Sequence, residues 1–322
     1  MPLKFLNFPY LVQEKIMENM EFSEIFQASL CSKRMKQSAI CARVEIPKTW
    51  FVVKEDSRLV SIKPDTSYPS KMLIKLVEKP KIKKRKMINV RIGEGCEVSA
   101  KIRAKHSNYD GHYCVLEVLK IDKTLTQALH DHVKSIFKST QSFDLQMAAA
   151  KISDDLPIFE NVKDIFISGA TSVLEVEDLE RFLEKYPKLH SLNLQPIING
   201  GLMDTSKIFE IERVYMQNPG QIGKNFLLNF SGKSLDLSNV IISETDIVDI
   251  IRKWATNEGY QDLETLILRM GTGVIIHTNR VFAALPKAEM FNPAIRPPNF
   301  YYDNNVCRDV IRPIDGKRAS IR

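Results

Sequence analysis

The stretch FPYLVQEKIMENMEFSEIFQASLCSKR, residues 8–34, decides how the fold begins. Pro9 opens a helix, because its fixed φ suits a first turn and its missing N–H costs nothing there. Leu11, Val12, Ile16 and Met20 then recur at helical spacing and form one apolar stripe. Ser23 suits the N-cap of a second helix carrying Ile25 and Phe26. Ser32 suits the cap of a third, with Met35, Ala39 and Ile40 inward and Lys33, Arg34 and Lys36 towards water. Three helices in so few residues enclose a thin core. A unit below about 40 residues needs a further surface to be stable.

These residues carry a resemblance. Phe8-Pro9-Tyr10-Leu11-Val12, then Ile16, Met20, Ile25 and Ser29-Leu30-Cys31-Ser32-Lys33-Arg34, resemble an F-box over residues 5–44. Phe8 stands where many members carry Leu, which keeps the apolar anchor. The resemblance implies binding to a Skp-family adaptor and, through it, to the cullin of an SCF ubiquitin ligase. Carried onto this sequence, the adaptor-binding residues are Phe8, Pro9, Leu11, Val12, Ile16, Met20, Ile25, Leu30, Ser32 and Lys33. The alternative reading of the same residues is a generic three-helix cap.

Outward from this stretch, 322 residues suit about two domains with a small appended module. Hydrophobic content of 44% and charged content of 26% argue against disorder and a membrane bundle. No apolar run is long enough to span a bilayer, and Met1-Pro2-Leu3-Lys4-Phe5 lacks a signal-peptide pattern. Five scattered cysteines without C-x-x-C suit reduced thiols. The expected location is therefore cytoplasmic and/or nuclear. The net charge of +7 divides into +1 for residues 1–45, +9 for 46–145, −6 for 146–295 and +3 for 296–322. A basic middle and an acidic third quarter read as separate folding units.

Residues 49–120 hold short β-prone runs punctuated by Pro, Asp, Gly and Asn, which read as an antiparallel meander of five or six strands. A helix follows, with Thr124-x-x-Gln127 as a capping box and Leu125, Leu129, Val133, Ile136 and Phe137 as its stripe. From about residue 160 an apolar-x-x-apolar-x-apolar pattern repeats. It occurs as Val162/Ile165/Ile167, Leu189/Leu192/Leu194, Ile211/Val214/Met216 and Leu263/Leu266/Leu268, with weaker copies at Gly232/Leu235/Leu237 and Leu285/Ala288/Met290. Intervals of 21 to 31 residues lie near the leucine-rich-repeat period. Ala170, Ile197, Pro219 and Val240 occupy the usual asparagine places, so the array is irregular. The expected class is α+β / α/β: a three-helix F-box at 1–45, a β-rich basic region with one helix at 46–145, and a leucine-rich-repeat-like α/β array at 146–322.

A second resemblance covers that array. Ser234-Leu235-Asp236-Leu237, Asp246-Ile247, Ile251-x-x-Trp254 and Tyr260-x-x-Leu263-Glu264-x-Leu266 resemble the F-box-associated type 2 region of nematode F-box proteins, as does the tail from Arg308 to Ile321. The resemblance implies substrate recognition. Pro313 interrupts the hairpin pattern before Asp315-Gly316. Side-chain alternation turns Phe166, Asn193, Tyr215, Asp236 and Ile267 to the face opposite the leucines, which makes them the candidate target-binding residues.

Catalytic signatures are absent from the sequence, so no enzyme activity and no cofactor is expected. Gly232-Lys233-Ser234 mimics the end of a P-loop, but Leu227 stands where the loop needs Gly. Cys96, His106, His112 and Cys114 match no standard zinc spacing. The basic run with Lys81, Lys83, Lys84, Arg85 and Lys86 reads as a solvated hairpin loop or a nuclear signal. It lacks interleaved aromatics, so nucleic acid is not the expected partner. The chain reads as a non-catalytic substrate adaptor, with a structural scaffold as the alternative.

Overall fold

The computed structural model describes residues 5–46, 48–63, 71–82, 87–107, 111–139, 143–152, 156–220, 222–285, 289–290 and 308–321. The chain forms two compact units. Unit 1 is Met1–Ser168 with Glu184–Leu189, and unit 2 is Gly169–Leu183 with His190–Arg322.

Unit 1 begins with three helices, α1 (Tyr10–Glu18), α2 (Phe22–Cys31) and α3 (Lys33–Ala42). Ser32 caps α3, its Oγ accepting from Met35 N–H at 3.1 Å. The cap of α2 differs from the sequence reading. Glu21, not Ser23, is the N-cap, in a reciprocal box with Glu24, whose Oε2 accepts from Glu21 N–H at 3.0 Å. Ser23 lies inside the first turn and is buried.

The strands that follow are β1 (Glu45–Ile46), β2 (Lys48–Val53), β3 (Ser57–Lys63), β4 (Lys71–Glu78), β5 (Ile88–Ile92), β6 (Cys96–Ser107) and β7 (Gly111–Val118). Helix α4 (Lys123–Ile136), β8 (Lys138–Ser139), β9 (Phe143–Ala148) and β10 (Val162–Ser168) complete unit 1. The main sheet runs β10-β9-β2-β3-β4-β7-β6-β5, and β1 pairs with β8 separately. The expected single meander is thus two antiparallel meanders, β2-β3-β4 and β5-β6-β7, joined by a parallel β4–β7 pair. Burial explains the order. Cys114–Val118 of β7 are all buried, which suits an interior strand, whereas β5 exposes Ile88, Asn89 and Arg91 and takes the edge. The β4–β5 connection is consequently not a hairpin loop. Asp122 rather than Thr124 caps α4, accepting from Leu125 N–H at 2.8 Å.

The three helices do not stand alone. Ile25 and Phe26 of α2 are fully buried, and α2 packs against β4, β5, β7 and α4. His132 of α4 ties this contact together. Gly93 N–H donates to its Nδ1 at 3.0 Å, so Nε2 carries the proton and meets Ser29 Oγ at 2.7 Å. The Ser29 hydroxyl in turn donates to Phe26 O at 2.6 Å. Burial pushes the His132 ring down to about 4, which keeps it neutral at physiological pH.

Unit 2 contains β11 (Val173–Glu175), α5 (Val176–Leu183), β12 (Ser191–Asn199), β13 (Arg213–Asn218), α6 (Ile222–Asn229) and β14 (Ser234–Val240). It continues with α7 (Glu244–Thr256), β15 (Thr265–Met270), α8 (Thr278–Ala284) and the antiparallel set β16 (Glu289–Met290), β17 (Arg308–Ile311) and β18 (Arg318–Ile321). Strands β12 to β15 are parallel neighbours. Leu192, Val214, Leu235 and Leu266 align across them, as do Leu194, Met216, Leu237 and Leu268. Asparagine side chains do bridge the strand ends, one residue before the expected places. Asn218 Nδ2 donates to Gln195 O at 2.9 Å, and Asn239 Nδ2 donates to Asn218 Oδ1 at 2.9 Å.

The Ser243–Asp246 capping box of α7 forms as the sequence suggests, but Asn257, at φ 62°, ends the helix two residues before Gly259. Pro313 lies in the turn between β17 and β18, where it has no ladder bond to lose, and the two strands pair. Arg312 is buried beneath that turn, doubly bonded to Asp315 and 5.3 Å from the Trp254 ring centroid.

Candidate functional site

Helix α1 turns its apolar stripe outward. Leu11 is 71% and Val12 41% exposed, while Met17, on the opposite side, is fully buried. Leu11, Val12, Ile16 and Met20 form a shallow groove, with Lys15 and Asn19 beside it. An exposed apolar groove on a helix is the feature a partner covers. The helix is held rigid beneath it. Tyr10 Oη donates to Cys41 O at 2.6 Å, and Ser38 Oγ donates to Gln13 Oε1 at 2.9 Å, so α3 braces α1 at two points. Gln13 Nε2 also donates to Phe8 O at 2.8 Å and fixes the chain entering at Pro9. Lys15 pairs with Glu18 at 2.6 Å in the open, which contributes little energy.

The remaining adaptor-face residues divide. Phe8 and Leu30 are half-buried, and Pro9, Ser32 and Lys33 are exposed. Ile25 is fully buried, so it serves the core beneath α2 and is not presented to a partner. Leu6, ahead of α1, and Tyr10, its first residue, are 39% and 49% exposed and add apolar surface that the stripe pattern missed. Leu6 precedes Pro9, where helical periodicity carries no signal.

In unit 2 the residues between the leucines line up. Asn193 pairs in register with Tyr215, Tyr215 with Asp236, and Asp236 with Ile267, so four of the five expected target-face residues form one row across the sheet. Phe166 sits on β10 of unit 1, half-buried and beside Gln146 in register. The Asn193 Oδ1 atom is buried without a hydrogen-bond partner among the described residues. Arg269 pairs with Asp236 and also donates to Ser238 Oγ at 3.1 Å, which fixes the charge of this face. The sequence reading missed Arg269, although it lies two residues after Ile267 and alternation puts it on the same face.

Gly232 has a steric reason to be Gly. A Cβ there would lie 2.3 Å from Ile211 O and 2.6 Å from Phe230 Cζ. His106 and His112 meet edge to face across β6–β7, with ring centroids 4.7 Å apart, and Cys114 is buried, with burial pushing its thiol up to about 12. Among the described residues no three of His, Cys, Asp and Glu gather as a metal ion requires, and no helix is long and apolar enough to cross a membrane. Lys81 is exposed, and Lys83, Lys84, Arg85 and Lys86 lie outside the described residues.

No curated protein and no solved structure matches the chain. The F-box domain family model matches residues 5–39, the span of α1, α2 and most of α3. The N-terminal helices are therefore an F-box domain, the module by which a Skp-family adaptor is bound within SCF ubiquitin ligases.

Proposed function

We propose that the chain is a non-catalytic substrate-recognition adaptor of an SCF ubiquitin ligase. The α1 groove takes the Skp-family protein, and the outward sheet face of unit 2 takes a protein target. The observation that carries this reading is the exposed apolar stripe of α1 within a matched F-box. Rate enhancement then comes from proximity, with the target held near the ubiquitin-loaded enzyme, and requires no side-chain chemistry in this chain.

The target surface rests on the row Asn193, Tyr215, Asp236 and Ile267. An aromatic and an aliphatic side chain among polar neighbours suit an interface with a few anchoring residues. The parallel strands of unit 2 and the Asn218–Asn239 bridge support a leucine-rich-repeat-like array, and the order of motifs from Ser234 to Ile321 supports an F-box-associated domain of the nematode type. Lys81 to Lys86 remain a candidate nuclear signal. Affinity capture of the full chain, with identification of what co-elutes, tests the whole reading. A Skp-family protein with a cullin is the expected result. Capture of a Skp-family protein by a Tyr215→Ala, Ile267→Ala variant that loses another co-eluting protein locates the target on the sheet face. A chain that retains no Skp-family protein contradicts the proposal.

A further inference from the structure

Near one end of the β6–β7 ladder, His106 and His112 stand opposite each other in register. Directly opposed side chains on antiparallel strands hold their Cβ atoms about 4.5–5.5 Å apart. The two ring centroids lie 4.7 Å apart at an interplanar angle of 61°. Both side chains are exposed, and neither makes a hydrogen bond or ion pair among the described residues. A neutral imidazole carries one nitrogen lone pair, so the pair offers two neighbouring nitrogen donors on two paired strands.

The ring separation suits a shared metal ion. An ion about 2.0–2.1 Å from one nitrogen of each ring sits about 3.2 Å from each centroid. The centroids then lie about 4.5 Å apart at a square-planar angle and about 5.2 Å apart at a tetrahedral one. The observed 4.7 Å falls between these. Imidazole nitrogen selects zinc, nickel and copper, whereas magnesium and calcium take oxygen ligands. Two protein ligands are fewer than a structural zinc site uses, so water fills the other positions and the ion exchanges freely. Glu21 and Lys71 flank the two histidines. The Glu21 carboxylate is engaged in capping α2, and the Lys71 charge opposes a bound cation. Both features make the site one of moderate affinity.

We propose that His106 and His112 chelate a divalent transition-metal ion of the zinc, nickel and copper class across β6 and β7. The bound ion ties the two strands together. It stabilises the folded chain, because an unfolded chain does not hold the two imidazoles side by side. The site is independent of the α1 groove and of the outward sheet face of unit 2.

Calorimetric titration of Zn²⁺ and of Mg²⁺ into the full chain, with its thiols kept reduced, tests this. Zn²⁺ is expected to bind saturably and raise the thermal unfolding midpoint, and Mg²⁺ to do neither. His106→Asn and His112→Asn should each weaken Zn²⁺ binding at least about tenfold, because loss of either ring ends the chelate. The double variant should then be little weaker than either single one. Ni²⁺ locates the ion in the native chain without any variant: its paramagnetism should broaden the NMR signals of the His106 and His112 rings before those of the other histidines. Absence of saturable Zn²⁺ binding overturns the proposal. So does Zn²⁺ affinity that is unchanged in both single variants, which would place the ion on the thiols, or Ni²⁺ broadening that spares both rings.

Discussion

Acidification should loosen the contact between the F-box helices and the sheet of unit 1 through one residue, His132. The ring is fully buried, accepts from Gly93 N–H and meets Ser29 Oγ. Its second proton has no place, because Nδ1 already serves as an acceptor. The folded chain holds the ring down to about 4, whereas an unfolded chain titrates near 6.5. Between these values the unfolded state binds more protons, so stability is full above about pH 6.5 and drains as pH falls towards 4. One unit of difference corresponds to about 1.4 kcal/mol, so His132 accounts for about 2 kcal/mol lost between pH 7.5 and 5 and about 3 kcal/mol once pH reaches 4. His130 is also lowered by burial and acts in the same direction, so the wild-type curve alone does not isolate His132. Urea unfolding of the native chain and of His132→Asn across pH 7.5 to 5 does so. The native chain should lose about 2 kcal/mol more than the variant over that range. Parallel pH profiles, or an NMR titration that places the His132 ring near 6.5, would refute the reasoning.

Two further perturbations test the packing. Gly232→Ala should cost about 3 kcal/mol, because the new methyl meets the Ile211 carbonyl as well as the Phe230 ring and the backbone must shift; an unfolding midpoint within 2 °C of the native value, where about 1 kcal/mol moves it by at least that much, would contradict the steric account. Lys48 bridges Asp144 at 2.8 Å and Asp164 at 2.5 Å, while burial raises the Asp144 pKa. Lys48→Met leaves the two carboxylates side by side, and the expected cost is about 2 kcal/mol at pH 7.5, reduced from a fully buried pair because Lys48 is partly exposed. A carboxyl whose pKa is raised in the folded state costs stability as pH rises above its unfolded value. The deficit of Lys48→Met, read from urea unfolding, should therefore shrink at pH 4.5, and a deficit that grows on acidification would refute this.

The parts of the fold that were legible in the sequence are those set by local periodicity. The Leu-x-Leu pairs at 192/194 and 235/237 found their strands, because side chains alternate whatever the partner strand is. Ser32 announced its helix because a cap acts within three residues. What stayed hidden depends on distant partners. The parallel β4–β7 pair is decided by which strand is buried on both faces, and Ser29 meets His132 across 103 residues of sequence. Gly232 looked like a fragment of a phosphate loop because its steric cause, Ile211 O, lies twenty-one residues away in sequence and becomes apparent only in the fold. The α2 cap was misplaced for a different reason. Ser is the stronger capping residue, but the reciprocal Glu21–Glu24 pair outweighs it locally. At the candidate site, alternation found the row from Asn193 to Ile267, whereas the burial of Ile25 was not visible from its place in the helical pattern.

The central claim is that the outward stripe of α1 binds a Skp-family adaptor, and a direct titration tests it. A purified Skp-family protein is titrated into the full chain and into a Leu11→Asp, Val12→Asp variant by calorimetry. Both side chains are exposed in the free chain, so the variant should keep its unfolding midpoint. Two carboxylates pressed against an apolar partner should weaken binding at least about a hundredfold, or about 2.7 kcal/mol. Equal affinity for the native chain and the folded variant, or no binding to either, would contradict the account.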